Sequence, residues 1–302
     1  MSAPANHGRI VGGLTTVPDL DAAEGDYAGR LGLAVVERGT VSAELAASWG
    51  CPDSAGARMI ALQPQSGAPC VFRLVEAPLP PSFLPMRSFG WSAFELTVQD
   101  VFGWPARLEG SGFEVIGPPK ALPGMPFFVP MQVAGRGREV LYLNEVAQDM
   151  PNCDLPRAES LIDFLFIAIL AVPDRAAAVD WYARALRLEA GDTHVLPYSM
   201  INRAFDLPAD HLTSITVMQK GRMPVVEIDG YPEGAIARPG PAGALPPGNA
   251  LVTIAVDSLD ALALEWIAEP RARDGALYAG RRSATVRGPA GELIELLELA
   301  QG

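Results

Sequence analysis

One pattern occurs twice in this chain, and the duplication constrains the fold more than any individual residue does. Val17-Pro18-Asp19 leads into a segment that reaches Leu33, and Val172-Pro173-Asp174 leads into a segment that reaches Leu188. The separation from the aspartate to the final leucine is 14 residues in both copies (33 − 19 and 188 − 174). The aspartates lie 155 residues apart (174 − 19) in a chain of 302 residues. The sequence therefore predicts two homologous halves.

The repeat extends beyond these segments and divides each half into two units. Pro52 in the first half corresponds to Pro208 in the second, 156 residues later (208 − 52). Each half also contains a second apolar run, which reaches Asp100 or Asp257 and continues into helix-compatible sequence. We therefore expect four units, each composed of a strand, a helix and further strands. The predicted first strands cover residues 10–17, 94–98, 166–172 and 251–256.

The first strand of the second unit has alternating side-chain character. Phe94, Leu96 and Val98 are apolar, whereas Glu95 lies between two of them. Successive side chains of a strand point to opposite faces of its sheet. We therefore expect the apolar face to pack against a helix and Glu95 to face a cavity or solvent.

Both Val-Pro-Asp copies carry the start signals of a helix. Asp19 and Asp174 each follow a proline, and a carboxylate at this position can accept a hydrogen bond from the first helical turn. We expect both aspartates to begin equivalent helices. In the second copy, helical spacing predicts a buried stripe formed by Ala176, Val179, Tyr182, Ala183 and Leu186.

These motifs resemble those of the glyoxalase, or vicinal-oxygen-chelate (VOC), superfamily, which also includes bleomycin-resistance proteins and dioxygenases. The resemblance is carried by Val-Pro-Asp, by Tyr27 or Tyr182 in the helix, and by the Leu-x-Leu that follows. Residues 288–296, Gly-Pro-Ala-Gly-Glu-Leu-Ile-Glu-Leu, are similar to the strand-closing pattern of the superfamily. The resemblance covers residues 8–300. It implies an α+β fold of tandem βαβββ modules, with two pseudo-repeated domains whose open, barrel-like sheets surround a pocket.

The repeat also predicts the domain boundaries. We expect a first domain at residues 8–146, with modules 1 and 2, and a second domain at residues 161–300, with modules 3 and 4. Residues 147–160 contain Pro151, Pro156 and charges of both signs, which favours a linker. Residues 1–9 are polar and lack the apolar core of a signal peptide.

Enzymes of this superfamily usually hold a divalent ion with side chains from the first and last strands of paired modules. The resemblance assigns the first-strand positions to Gly12, Ala93, Ile167 and Leu251. None of these side chains can bind a metal ion. The last-strand positions are Arg73, Tyr142, Glu227 and Glu295. We therefore expect neither a bound metal nor another cofactor.

The remaining polar positions predict acid–base chemistry. Glu227 and Glu295 would face one cavity in the second half, where burial and mutual repulsion would raise the pKa of one of them. The alternative is that Glu227 and Glu295 are structural residues that are solvated or paired with an arginine. In the first half Arg73 would hold a carboxylate or enolate oxygen, Tyr142 would donate a proton and Glu95 would accept one. An ion pair between Arg73 and Glu95 is the alternative there.

Charge and cysteine usage limit the partners and the compartment. The formal net charge of −12 argues against nucleic acid or an anionic membrane as the main partner. Cys51, Cys70 and Cys153 are widely spaced and lack a Cys-x-x-Cys motif, so neither a disulfide framework nor a thiolate metal site is predicted. This pattern fits a reduced, cytoplasmic compartment.

The sequence leads to a protein that acts on a small metabolite, aromatic or carbonyl-bearing, by metal-independent proton transfer of the lyase or isomerase type. The fold does not determine the reaction, so whether the chain is an enzyme stays open. One alternative is a non-catalytic protein that binds or sequesters a small molecule, and a further one is a metal-dependent glyoxalase or dioxygenase with atypical ligands. We expect a small-molecule ligand and leave homodimer formation open.

Overall fold

The computed structural model describes residues 6–122, 124–150 and 153–300. Residues 1–5 of the predicted polar amino terminus and Pro151 of the predicted linker lie outside these ranges. Within them the chain forms four modules that are built mainly of strands. None of the helices in these ranges has the length and apolar character that crossing a membrane requires.

The first two modules contain eight strands and three short α-helices. Module 1 comprises β1 Ile10–Val17, α1 Leu20–Glu24 with its π-helical continuation Gly25–Arg30, β2 Ala34–Thr40, α2 Ala43–Ser48, the 3-10 turn Pro52–Ser54, β3 Arg58–Gln63 and β4 Val71–Glu76. Module 2 comprises β5 Gly90–Val98, the 3-10 turn Val101–Gly103, α3 Trp104–Arg107, β6 Glu114–Gly117, β7 Phe128–Ala134 and β8 Val140–Val146.

The last two modules repeat the strand pattern, but their helical content differs. Module 3 comprises β9 Ile162–Val172, α4 Arg175–Leu186, β10 Glu189–Pro197, α5 Ser199–Ala204, β11 Leu212–Lys220 and β12 Met223–Gly230. Module 4 comprises β13 Gly248–Val256, β14 Arg271–Ala272, β15 Arg282–Arg287 and β16 Leu293–Glu298.

The two Val-Pro-Asp copies begin equivalent helices, as predicted. Asp19 caps α1, where its Oδ1 accepts a hydrogen bond from the backbone N–H of Ala22 at 2.9 Å. Asp174 caps α4 in the same way and accepts from Ala177 at 3.0 Å. The predicted duplication of the chain is therefore confirmed at the positions that defined it.

The modules combine into two curled sheets of eight strands. The first sheet, with strand order β14-β15-β16-β13-β1-β4-β3-β2, joins modules 4 and 1. The second, with order β10-β11-β12-β9-β5-β8-β7-β6, joins modules 3 and 2. At each junction two first strands pair antiparallel, β1 with β13 and β5 with β9.

The sheets combine the modules differently from the predicted domains, which group modules 1 and 2 and modules 3 and 4. Each first strand is buried along its whole length and is paired with a neighbouring strand at both edges. Its residue pattern therefore determines which faces are covered and not which strand lies beside it. The domain boundaries at 8–146 and 161–300 stay a prediction.

The helix expected after Asp257 is also absent. Residues 257–270, all of which the structure describes, contain no helix. The backbone N–H of Leu259 donates to Glu298 Oε1 at 3.1 Å, and that of Ile267 donates to the carbonyl oxygen of Thr285 at 2.9 Å. These contacts with β15 and β16 hold the segment along the sheet, so tertiary structure overrides its helix propensity.

Buried side chains form one shared core and two separate ones. The shared core contains residues of both sheets and of the helices, among them Tyr27, Phe94 and Tyr182. A second cluster, around Trp49, packs on the other face of the first sheet, and a third, around Ile169, packs on the other face of the second sheet. The predicted functional residues lie on the two sheet faces that the second and third clusters cover.

A tyrosine–glutamate contact links the modules within each half. The O–H of Tyr27 donates to Glu139 Oε1 at 2.9 Å, and that of Tyr182 donates to Glu292 Oε1 at 2.7 Å. In both cases the other carboxyl oxygen accepts from a backbone N–H of the adjoining turn. Burial raises the pKa of Glu139 and of Glu292 to about 7.

Candidate functional site

The five predicted site residues separate into two groups in the structure. Arg73 and Glu295 lie on the first sheet, whereas Glu95, Tyr142 and Glu227 lie on the second. The expected grouping by halves was therefore wrong, because modules 1 and 4 share a sheet and modules 2 and 3 share the other.

The first-sheet group is a closed ion-pair network. Arg73 Nη2 lies 2.8 Å from Glu295 Oε2, and their side chains are only 2% and 1% exposed. Glu295 also accepts from Thr253 at 2.8 Å, from Tyr278 at 2.9 Å and from the indole N–H of Trp49 at 3.0 Å. Burial acts to raise the pKa of Glu295, but Arg73 and these hydrogen bonds lower it overall. The hydrogen-bonding capacity of Glu295 is therefore used within the protein.

The second-sheet group includes a third carboxyl, that of Asp229. Hereafter Glu95, Glu227 and Asp229 are called the acidic group. Glu95 and Asp229 are 6% and 0% exposed, whereas Glu227 is partly exposed. Asn144 Nδ2 donates to Glu95 Oε2 at 2.7 Å, and Tyr198 O–H donates to Glu227 Oε1 at 3.2 Å. Glu227 is therefore the most exposed member of the group, and Glu95 retains a small exposed fraction.

Register explains how the acidic group is assembled. β9 lies between β12 and β5, with Glu227 beside Ile169 and Glu95 beside Ile167. Two residues after Glu227, Asp229 lies on the same face of β12, since strand side chains alternate. Sequence reasoning missed Asp229, although the spacing of two from Glu227 was the signal that could have found it.

The pKa values of the three carboxyls are all raised, but to different extents. Burial first, and then the neighbouring Glu227, raises the pKa of Glu95 well above its usual value. Burial first, and then the neighbouring Glu227 and Glu95, also raise the pKa of Asp229 well above its usual value. Burial raises the pKa of Glu227 to about 7, and hydrogen bonds from Tyr198 and Asp229 act against the rise. Glu227 is thus the first of the three to ionise.

Asp229 is the protonated carboxyl that donates a hydrogen bond to Glu227. Among the described residues, no N–H group, amide or hydroxyl donates to either oxygen of Asp229. A protonated Asp229 that donates to Glu227 satisfies both carboxyls, whereas two buried carboxylates side by side would repel each other. Once Glu227 has ionised, the pair therefore shares one proton.

Two tyrosines and an amide complete the polar surroundings. Tyr142 and Tyr198 hydroxyls lie 3.2 Å apart, and either can be the donor. Burial raises the pKa of both well above the usual value, so both remain protonated donors. Within the described ranges, Oδ1 of the buried Asn144 has no hydrogen-bond partner. The ring of Phe205 packs edge-on against Tyr231 at 5.7 Å and adds aromatic surface to this side of the sheet.

Comparisons with known proteins agree with this architecture. No protein-family model matches the sequence, and no curated protein matches it. The solved structure of glyoxalase I from Zea mays is similar, with a TM-score of 0.60 and 15% identity over 96% of this chain and 92% of that one. The chain has the VOC fold. A putative dioxygenase from Bacillus subtilis subsp. subtilis str. 168 is also similar, with a TM-score of 0.60 and 12% identity over 99% of this chain and 87% of that one. At these identities the likeness is one of fold, and it confirms the predicted resemblance.

The residues at the metal-ligand positions implied by the VOC fold do not fit a divalent ion. In the first sheet, the guanidinium of Arg73 occupies one such position and is already paired with Glu295. In the second sheet, Glu227 is the only carboxylate among Ala93, Tyr142, Ile167 and Glu227. Across the described residues, no group of three or more His, Cys, Asp and Glu side chains is arranged to hold a metal ion.

Gly12 occupies a position on β1 at which the VOC resemblance implies a metal ligand, and the space around it can be tested by substitution. A Cβ atom at Gly12 would lie 2.7 Å from the carbonyl oxygen of Val71, within the neighbouring strand. We expect Gly12→Ala to destabilise the protein by about 1–3 kcal/mol, because the backbone must shift to admit the methyl group. Chemical denaturation measures the effect. Gly39→Ala is the matched control, since a Cβ atom there meets nothing within 4 Å, and equal stability of the two variants would contradict the expectation.

Proposed function

We propose that the acidic group transfers protons to and from a small carbonyl-bearing metabolite. The observation that carries the proposal is the contrast between Glu227, partly exposed with a pKa of about 7, and the two buried carboxyls of higher pKa beside it. A general base works best when its pKa lies near the operating pH, and a neighbouring acid must remain protonated there. The acidic group meets both conditions.

The chemistry follows from the protonation states. Glu227 removes a proton from the carbon next to a carbonyl. The electron pair of the broken C–H bond forms a carbon–carbon double bond, and the π electron pair of the carbonyl moves to its oxygen. Protonated Glu95 donates its proton to that oxygen and gives an enol. For a substrate with a hydroxyl on the carbon that lost its proton, Glu95 recovers a proton from the hydroxyl while Glu227 returns its own to the former carbonyl carbon. Both carboxyls return to their starting protonation states, and the net reaction is an isomerisation.

The neighbouring groups support Glu227 in this role. Tyr198 donates to Glu227 Oε1 at 3.2 Å, which helps to orient the carboxylate. Asp229, when protonated, donates to Glu227 and limits the rise of its pKa. No arginine or lysine among the described residues contributes to the pKa of the three carboxyls. An uncharged substrate therefore suits the site better than an anionic one, which ionised Glu227 would repel.

Proton exchange on carbon tests the proposal. In D2O, we expect the protein to catalyse deuterium incorporation next to the carbonyl of a small α-hydroxy ketone such as 2-hydroxyacetophenone, followed by ¹H NMR. Glu227→Gln should reduce the rate by about 100-fold or more, since it removes the base. The wild-type rate should rise with pH and level off above about 7, where Glu227 is ionised.

Glu233→Gln is the matched control, because Glu233 is exposed and follows the same strand. An exchange rate that Glu227→Gln leaves unchanged would contradict the proposal. Binding of the compound that depends on Glu227 but is accompanied by no exchange would instead support a sequestering protein.

A further inference from the structure

A second feature that could bind a ligand lies away from the acidic group. A cavity of about 670 Å³ opens beside α4, and none of the three carboxyls lines it. Its volume is within the range of small-molecule sites. The lining residues that bear on its chemistry are Trp181, Arg184, Ala185, Leu264, Trp266 and Arg287.

The corresponding place in the first half of the chain is filled. Arg107 Nε donates to the carbonyl oxygen of Arg30 at 2.8 Å, and Arg30 Nη1 reaches the carbonyl oxygen of Arg107 at 3.5 Å. The repeat places Ala185 at the position of Arg30 (185 − 30 = 155) and Glu265 at the position of Arg107 (265 − 107 = 158), the second offset being the one that relates β5 to β13. Both replacements line the cavity. The second half thus opens a space that the first half closes.

The loss of a helix in module 4 contributes to this opening. In module 2 the equivalent segment carries α3, whereas residues 257–270 are irregular. The segment is held at Leu259 by Glu298 and at Ile267 by Thr285. The residues between these two anchors, including Trp266, form one wall of the cavity, and α4 forms the other. The cavity therefore has walls fixed by hydrogen bonds to the sheet and by a twelve-residue helix.

The walls present aromatic rings and positive charge. Trp181 and Trp266 are both partly exposed, so ring surface is available on each wall. Arg184 and Arg287 are exposed and outnumber the single carboxylate of the lining, that of Glu265. Arg184 lies 4.0 Å from Asp180, with both side chains more than 70% exposed. Such a surface ion pair is weak and leaves the guanidinium available to a ligand.

We propose that this cavity binds a small planar aromatic molecule that carries a carboxylate. The ring packs against Trp181 and Trp266, whose flat faces favour aromatic partners. The carboxylate lies against Arg184 and Arg287, because guanidinium groups form charge-assisted hydrogen bonds with planar anions. The site is separate from the acidic group, so it acts independently of the proposed proton transfer.

Isothermal titration calorimetry with indole-3-acetate and tryptamine tests the proposal, because the two probes share a ring and carry opposite charges. We expect indole-3-acetate to bind and tryptamine to bind at least about tenfold more weakly. Trp266→Ala and Arg287→Gln should each weaken indole-3-acetate binding by about tenfold or more. Ala185→Trp, which fills the cavity and removes no polar group, should abolish binding.

Two control variants test whether a loss of binding is specific to the cavity residues. Arg157→Gln changes an exposed arginine that pairs with Asp149 outside the cavity and should leave binding unchanged. Glu227→Gln should also leave it unchanged, since Glu227 belongs to the other site. Circular dichroism melts verify that each variant is folded. No binding of indole-3-acetate at millimolar concentration, equal binding of tryptamine, or binding that survives Ala185→Trp would each overturn the proposal.

Discussion

Replacing Arg73 by methionine is expected to destabilise the protein by about 3–5 kcal/mol. The substitution leaves Glu295, 1% exposed, without the guanidinium that lies 2.8 Å from it. Hydrogen bonds from Thr253, Tyr278 and Trp49 remain, but they do not neutralise a buried carboxylate. Urea denaturation at pH 7 measures the change in the free energy of unfolding.

The double variant Arg73→Met/Glu295→Leu distinguishes a buried charge from lost packing. We expect it to regain most of the stability that Arg73→Met loses, because an apolar pair of similar volume needs no desolvation of charge. Arg58→Met is the control on the same sheet. Arg58 pairs with Asp21 on the surface, where the side chains are 49% and 76% exposed, so its loss should change stability by about 1 kcal/mol or less. A double variant no more stable than Arg73→Met would show that the pair is not the cause.

The stability of the protein is expected to decrease as pH rises from about 5 to about 8. Glu139, Glu292 and Glu227 have pKa values of about 7 in the folded protein, against a usual value of 4.5. The folded state therefore retains protons that the unfolded chain releases between these two values. The resulting stabilisation is complete below pH 4.5 and is lost as pH rises through 7. A shift of this size corresponds to about 3 kcal/mol for one fully buried carboxyl.

Other buried carboxyls do not reverse this trend. The pKa values of Glu95 and Asp229 are raised as well, so their contributions have the same sign. Glu295 has a lowered pKa, and its contribution is present above the usual pKa of 4.5 and lost only at more acidic pH. It therefore stays constant across the window from pH 5 to pH 8.

Thermal melts between pH 5 and pH 8 measure this dependence. The double variant Glu139→Gln/Glu292→Gln should have a flatter profile, since it removes two of the titrating groups and keeps acceptors for Tyr27 and Tyr182. Glu233→Gln, at an exposed position, should retain the slope of the wild type. A melting temperature that rises over this interval, or a double variant with an unchanged slope, would show that these carboxyls are not protonated in the folded state.

Much of the local structure could be predicted from the chain. The first strands, predicted at 10–17, 94–98, 166–172 and 251–256, lie within β1, β5, β9 and β13. Their apolar pattern and the helix caps act over a few residues, so they can be read locally. The predicted stripe of α4 was correct at Tyr182 and Leu186, but Ala178 is buried in place of Ala176. The expected small-molecule ligand, cytoplasmic location and absence of nucleic-acid and membrane partners stay predictions.

The candidate site could be predicted residue by residue but not as an assembly. Arg73, Glu95, Tyr142, Glu227 and Glu295 all lie on the strands that the repeat indicated. Their grouping depends on which modules share a sheet, and that choice is made by contacts between residues far apart in the chain. The sharing of sheets also determines the ion pairs. Arg73 pairs with Glu295, 222 residues away, and not with Glu95.

The amino-acid sequence by itself determined the duplication, the start of the two capped helices and the polar positions that interrupt apolar strands. These features depend on residue type and short spacing. Only the tertiary structure decided that modules 1 and 4 share one sheet and that Glu95 lies on the same sheet as Glu227 and Asp229. It also decided that residues 263–267 line a cavity where a helix was expected. The physical reason is that a strand pattern specifies which faces are buried, whereas the partner at a strand edge is selected by hydrogen bonds and packing over the whole chain.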